Sequence, residues 1–165
     1  MHHVEEKSIH CLVATVSDTR TVGTDKSGKL IKELLKEKGH RCERHLIVPD
    51  EQEEIDELIK KGITDNRVEA ILLTGGTGIS VRDVTIEVVE KNIEKEISGF
   101  GEIFRMLSYT EDIGSAAIMS RAIAGVKNRK AIFAMPGSSG AVKLAMNKLI
   151  LPELSHIVHE LHKDL

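Results

Sequence analysis

Ile9-His10-Cys11-Leu12-Val13-Ala14-Thr15-Val16 is apolar almost without a break and rich in β-branched side chains. That pattern predicts a strand buried on both faces, because neither face keeps a polar set for solvent. Residues 27–38 then place Leu30, Ile31, Leu34 and Leu35 on one stripe, with Gly39 as a stop, which predicts an amphipathic helix. Residues 41–48 read as a second strand despite several charges. After Pro49 and the acidic run Asp50-Glu51-Gln52-Glu53, Ile55, Leu58 and Ile59 mark a second helix. A third strand over 69–74 feeds a glycine-rich loop, and a third helix is expected over 83–92. The alternation predicts a mainly parallel sheet with helices on both faces.

The second half is less regular. Residues 99–109 suggest a short helix carrying Phe100, Ile103, Phe104 and Leu107. Residues 121–126 and 130–134, separated by Lys127-Asn128-Arg129, suggest an antiparallel hairpin. The last strand runs into Met135-Pro136-Gly137-Ser138-Ser139-Gly140, and helices over 141–150 and 152–161 close the chain. No internal repeat, low-complexity tract or linker interrupts this order, so residues 1–165 read as one domain.

Ligands of such sheets bind at the carboxyl ends of the strands. The turn Ser17-Asp18-Thr19-Arg20, the turn Pro49-Asp50 and the loop Gly75-Gly76-Thr77-Gly78 each follow a strand, so three polar clusters belong on one rim. Three glycines among four residues let backbone amides approach a ligand, and the helix start beyond favours phosphate. Arg82 can neutralise phosphate oxygens, and Asp83 can hold a divalent cation or a proton. A phosphorylated small molecule is the expected ligand. The loop is no Walker A motif, since no Gly-Lys-Ser/Thr follows, and it lacks the last glycine of a dinucleotide fingerprint.

Composition narrows the partner. A net charge of −3, with three Phe, one Tyr and no Trp, offers neither a polyanion surface nor a base-stacking platform, so nucleic acid is not expected. The absence of a signal peptide or a membrane-length apolar run predicts a cytoplasmic protein with no membrane partner. Cys11 and Cys42 sit in apolar strand-like runs and read as small buried hydrophobes. Met1-His2-His3 is too short for a purification tag and is given no function.

Each polar candidate has a plainer alternative. Asp50 and Asp83 could share Mg²⁺ with phosphate oxygens, or could each cap a helix, Asp50 in a capping box with Glu53. Asp25-Lys26-Ser27-Gly28 offers a cap and a candidate phosphate lysine. Ser138 and Ser139 could donate to an anion or cap the following helix. Arg121 is either an anion clamp or one end of a hairpin salt bridge. His156, His159 and His162 recur every third residue, a spacing that drifts around a helix and reads as a solvated face.

Taken in order, the motifs resemble one family. They are Val16-Ser17-Asp18-Thr19-Arg20, Asp25-Lys26-Ser27-Gly28, Val48-Pro49-Asp50-Glu51, Thr74-Gly75-Gly76-Thr77-Gly78 with Arg82-Asp83-Val84-Thr85, Ser120-Arg121-Ala122 and Met135-Pro136-Gly137-Ser138. Across essentially the whole chain this resembles the MoaB/MogA family of molybdenum-cofactor biosynthesis. Gly99-Phe100-Gly101-Glu102-Ile103-Phe104-Arg105 and Tyr109-Thr110-Glu111-Asp112-Ile113-Gly114 look most like the MoaB branch. The resemblance implies a three-layer α/β/α fold, homotrimers or homohexamers, and binding of molybdopterin. It also implies Mg-ATP-dependent adenylylation of molybdopterin, with a downstream molybdate-insertion partner. Asp50 and Asp83 match the family's two aspartates and would hold Mg²⁺ and position the triphosphate. Gly75, Gly76, Thr77 and Gly78, with Pro136, Gly137 and Ser138, would cradle phosphates; Ser17 and Asp18 would line the ligand, and Arg20, Arg82 and Arg121 would compensate charge. A molybdopterin-binding or assembly protein without chemistry is the alternative.

Overall fold

The structure is a computed structural model and describes residues 7–164; Met1-His2-His3 lies outside the described residues. β1 (His10–Val16), β2 (Arg41–Val48), β3 (Ala70–Thr74) and β6 (Lys130–Met135) run parallel, and β5 (Ile123–Lys127) and β4 (Lys95–Glu96) extend the sheet antiparallel. The order is β2-β1-β3-β6-β5-β4. β1, β3 and β6 are central and buried apart from His10 and Lys130 at the strand starts, which is why they are almost continuously apolar. β2 is an edge strand, and that position tolerates Arg41, Glu43 and Arg44.

Alternate strand residues feed two cores. Cys11, Val13, Leu72 and Phe133 pack with α1 (Lys26–Glu37), α4 (Ser98–Glu111), α5 (Ser139–Leu144) and α6 (Leu151–His162). Leu12, Ala14, Ile71 and Leu73 pack on the opposite face with α2 (Gln52–Thr64) and α3 (Thr85–Asn92). Each fully buried Ile or Leu contributes roughly 1.5–3 kcal/mol, so these faces carry the fold. The α/β/α sandwich with a mainly parallel sheet and a β5–β6 hairpin is the expected architecture. The hairpin turn closes with Asn128 and Arg129 at φ 49° and 60°, the left-handed pair that a tight two-residue turn demands.

Two local expectations need correction, and one short element adds to the predicted pattern. The third helix begins at Thr85 rather than Asp83. A 3₁₀ segment, Gly114–Met119, precedes β5. The last two helices are one helical run: a π-turn over Ala145–Ile150 joins α5 to α6. Pro152 lacks an amide hydrogen, and its ring would crowd the preceding turn; the wide register just upstream absorbs both effects. Cys11 and Cys42 lie opposite each other across β1 and β2 as free thiols; Cys11 is buried as expected, but Cys42, on the edge strand, is only half-buried. Burial pushes both thiols up, which fits inert packing. His156 and His159 are exposed on α6, His156 between Glu153 and Glu160, as expected for a solvated face.

Candidate functional site

The carboxyl ends of β1, β2, β3 and β6 carry the polar clusters, and hydrogen bonds tie them together. The Ser17 amide donates to the Val48 carbonyl at 2.8 Å, joining the exits of β1 and β2. Ser17 Oγ accepts the amides of Thr19 and Arg20 at 3.2 and 3.1 Å, a serine turn that sends Asp18 outward. Asp18 Oδ1 accepts the Asp50 amide at 3.0 Å. Arg82, from the glycine loop, donates to both Asp18 oxygens and to Glu51 Oε1 at 2.9 Å. Three loops are thereby clasped by one guanidinium. The Arg82 fork, then the Asp50 amide, hold the Asp18 carboxyl below its ordinary range. Arg20 is exposed and donates to the Thr24 carbonyl within its own loop.

Gly75 and Gly76 have φ of 95° and 66°, and a Cβ on Gly75 would lie 2.4 Å from the Val16 carbonyl oxygen, so glycine is required there. Thr85 Oγ1 donates to the Gly75 carbonyl at 2.9 Å, and the Thr85 amide donates to the Gly76 carbonyl at 3.0 Å. The Thr77 and Gly78 carbonyls accept from Arg121 Nε, each at 3.1 Å. Trans peptides point the next amides the opposite way. The amides of Gly76, Thr77, Gly78 and Ile79 donate to no acceptor among the described residues. The result is a row of free donors, the arrangement that binds anionic oxygens.

Both aspartates lean on this loop. Asp50 Oδ1 lies 2.9 Å from the place a Cβ on Gly76 would take, and Asp83 Oδ2 lies 2.7 Å from the place one on Gly78 would take. Burial, then the Asp18 and Asp83 charges, push the Asp50 carboxyl above its ordinary value. Arg82 and the Asp18 amide only partly offset that rise. Asp83 Oδ2 accepts the Ser80 amide at 3.1 Å and the Ser80 hydroxyl at 2.6 Å. Neither aspartate caps a helix: the N-caps of α2 and α3 are Glu51 and Val84, without side-chain cap bonds. The capping alternatives therefore fall for both.

The β6 loop closes the rim. The Gly75 amide donates to the Met135 carbonyl at 3.0 Å, and Thr74 Oγ1 donates to the Pro136 carbonyl at 3.1 Å. Gly137 packs beside Gly75, and Ser138 is the N-cap of α5, its Oγ accepting the Ala141 amide at 3.2 Å. The Ser138 hydroxyl hydrogen remains a donor on an exposed side chain. Lys26, by contrast, is exposed in the first turn of α1 and takes part in none of these bonds.

Sequence reasoning gave no role to Glu51 or Glu87, the carboxylates that hold Arg82 and Arg121. Glu87 lies one helical turn after Asp83, the spacing that could have suggested a shared face. It also missed a buried cluster beneath the rim. Asp25 caps α1 and accepts from Thr15 Oγ1 at 2.6 Å, with His45 Nε2 at 2.6 Å from the same oxygen.

Among the described residues, no group of three or more His, Cys, Asp or Glu side chains is placed to hold a metal by itself. Asp50 and Asp83 beside a row of free amides instead fit an ion that brings water and phosphate oxygens as its other ligands, as Mg²⁺ does. No helix of the described residues is long and apolar enough to cross a membrane.

Residues 12–156 match the profile of a family described as "Probable molybdopterin binding domain". The molybdenum cofactor biosynthesis protein B of Bacillus subtilis (strain 168) is 60% identical over 156 residues, covering 94% of this chain and 92% of that protein. A crystal structure of a molybdenum cofactor biosynthesis protein B matches with TM-score 0.93 and 58% identity, covering 95% of this chain and 98% of that one. The tungsten cofactor synthesizing protein MoaB of Pyrococcus furiosus matches with TM-score 0.83 and 37% identity, covering 94% and 98%.

Proposed function

The chain belongs to the molybdopterin-binding domain family of molybdenum-cofactor biosynthesis proteins, the MoaB/MogA group, and on that premise we propose that it adenylylates molybdopterin with Mg-ATP. One observation carries the reading: two carboxylates from different loops, Asp50 and Asp83, abut the same glycine turn, whose four amides have no acceptor among the described residues. A triphosphate needs donors for its oxygens and acceptors for its counter-ion within a few ångströms of each other, and this rim offers both.

The reaction asks the protein for positioning and charge balance, not for a nucleophilic side chain. An oxygen of the molybdopterin phosphate attacks the α-phosphorus of ATP; the new P–O bond forms as the bond to the bridging oxygen breaks, and pyrophosphate leaves. Mg²⁺, when bound, neutralises the triphosphate and the departing pyrophosphate. Asp50 and Asp83 would hold that ion. The amides of residues 76–79 would take non-bridging oxygens, and the Ser138 hydroxyl would donate from the opposite lip. Arg82 is committed to Asp18 and Glu51, so its role is to clasp the loops around Asp50.

The exposed apolar side chains Met106, Tyr109, Ile118 and Met119 support self-association, as trimer or hexamer. A downstream molybdate-inserting protein would receive the adenylylated product.

Incubation of the purified chain with molybdopterin, ATP and Mg²⁺ tests the reading. The expected result is adenylylated molybdopterin and one pyrophosphate per product. Binding of molybdopterin with no adenylylated product would establish a carrier instead.

A further inference from the structure

We infer that Arg121, held by Glu87, is a positioning residue for the nucleotide phosphates: it anchors the back of the glycine loop so that the loop's amides face the ligand. The inference rests on the adenylylation reading above and adds a role that neither an anion clamp nor a hairpin salt bridge describes. Arg121 Nε donates to the Thr77 and Gly78 carbonyls, and Nη2 donates to Gly78 at 2.7 Å and to the Asp83 carbonyl at 3.4 Å. Nη1 and Nη2 both pair with the Glu87 carboxylate. All three nitrogens of the guanidinium are thus engaged within the protein, which leaves at most one Nη1 hydrogen for a ligand.

Charge leads to the same role. Glu87 neutralises Arg121 at contact distance, so the pair adds little net potential at the rim. Its effect is geometric. Two carbonyls turned toward the guanidinium turn the Gly78 and Ile79 amides outward, where a phosphate oxygen would sit. A peptide flipped by loss of that anchor would aim a carbonyl oxygen at the same phosphate. The bond to the Asp83 carbonyl extends the control to the carboxylate beside Gly78. Only a planar fork can bridge carbonyls from three residues while pairing a carboxylate; an ammonium cannot.

Two variants separate geometry from charge. Arg121→Lys keeps the charge and loses the fork; Glu87→Gln keeps Arg121 and loosens its hold, and carries the test should the lysine variant not fold. We expect Arg121→Lys to raise KM for ATP about tenfold and Glu87→Gln about threefold, with KM for molybdopterin within about twofold of wild type. In ligand-free protein, the amide NMR signals of Gly78 and Ile79 should shift or broaden in both variants. Wild-type KM for ATP in Arg121→Lys, equal rises for both substrates, or unmoved amide signals would overturn the inference. A wild-type chain that makes no adenylylated product would sink the catalytic reading alone. Titration with inorganic pyrophosphate then decides: response of Gly78 and Ile79 in wild type and not in Arg121→Lys upholds the anchor, and no response in wild type overturns it.

Discussion

Asp50 shows at the scale of one residue how the proposed function opposes stability. Its carboxyl holds a proton more tightly than an unfolded aspartate because burial and the Asp18 and Asp83 charges oppose ionisation. Raising pH through its folded value therefore costs stability, and the penalty vanishes below the ordinary aspartate value of 3.8. Asp50→Asn should raise Tm at neutral pH by about 1–3 °C, and the gap should close as pH falls to the ordinary aspartate range. Product formation should fall at least about a hundredfold in the same variant. Thermal unfolding across pH, run beside the adenylylation assay, checks both. Gly76→Ala makes the complementary case: its Cβ would meet Thr85 Oγ1 at 2.5 Å and Asp50 Oδ1 at 2.9 Å, at a φ of 66°. The expected cost is about 1–3 kcal/mol with loss of product formation, read by denaturant melts and assay.

At the scale of the element, the beginning of α1 is more than a capped helix. Burial alone would raise the Asp25 carboxyl, but bonds from Thr15, the Gly28 amide and His45 outweigh it and hold the carboxyl below its ordinary value. The stability this contributes is present above pH 3.8 and is lost as pH falls through the lower folded value. Asp25→Ala should cost about 2–4 kcal/mol, because it removes the cap and strips partners from Thr15 and the buried His45. Urea unfolding at neutral and acid pH would show the cost shrinking as pH drops. The motif Asp25-Lys26-Ser27-Gly28 disclosed the cap, but not that a strand histidine meets it. His45 lies on β2, twenty residues away, and only the sheet register brings it to α1. Local spacing likewise suggested caps for Asp50 and Asp83, because capping preference is a short-range signal and the loops that recruit these carboxylates are not.

Across the whole molecule, the apolar surface is unevenly spent. Both faces of the sheet are sealed, yet Ile118 is 87% exposed and Met106 and Tyr109 are 65% and 59% exposed. Such side chains in one stretch favour burial against other copies of the chain. Replacing Met106 and Ile118 by Glu and Asp should shift sedimentation from the proposed trimer or hexamer toward monomer while leaving the fold's circular dichroism intact. An unchanged sedimentation coefficient would remove that face from the assembly.

Hydrophobic periodicity alone determined the alternation of strands and helices, the parallel core and the rim that carries the polar loops, because burial of regular elements is written in local pattern. Glycine spacing marked the turn of unpartnered amides proposed to hold phosphate for the same reason. Tertiary structure alone decided which charges meet: Arg82 with Asp18 and Glu51, Arg121 with Glu87 and three carbonyls, His45 with Asp25. Those pairings join groups from separate loops and strands, and the distance between them is set by strand order rather than by anything adjacent in the chain.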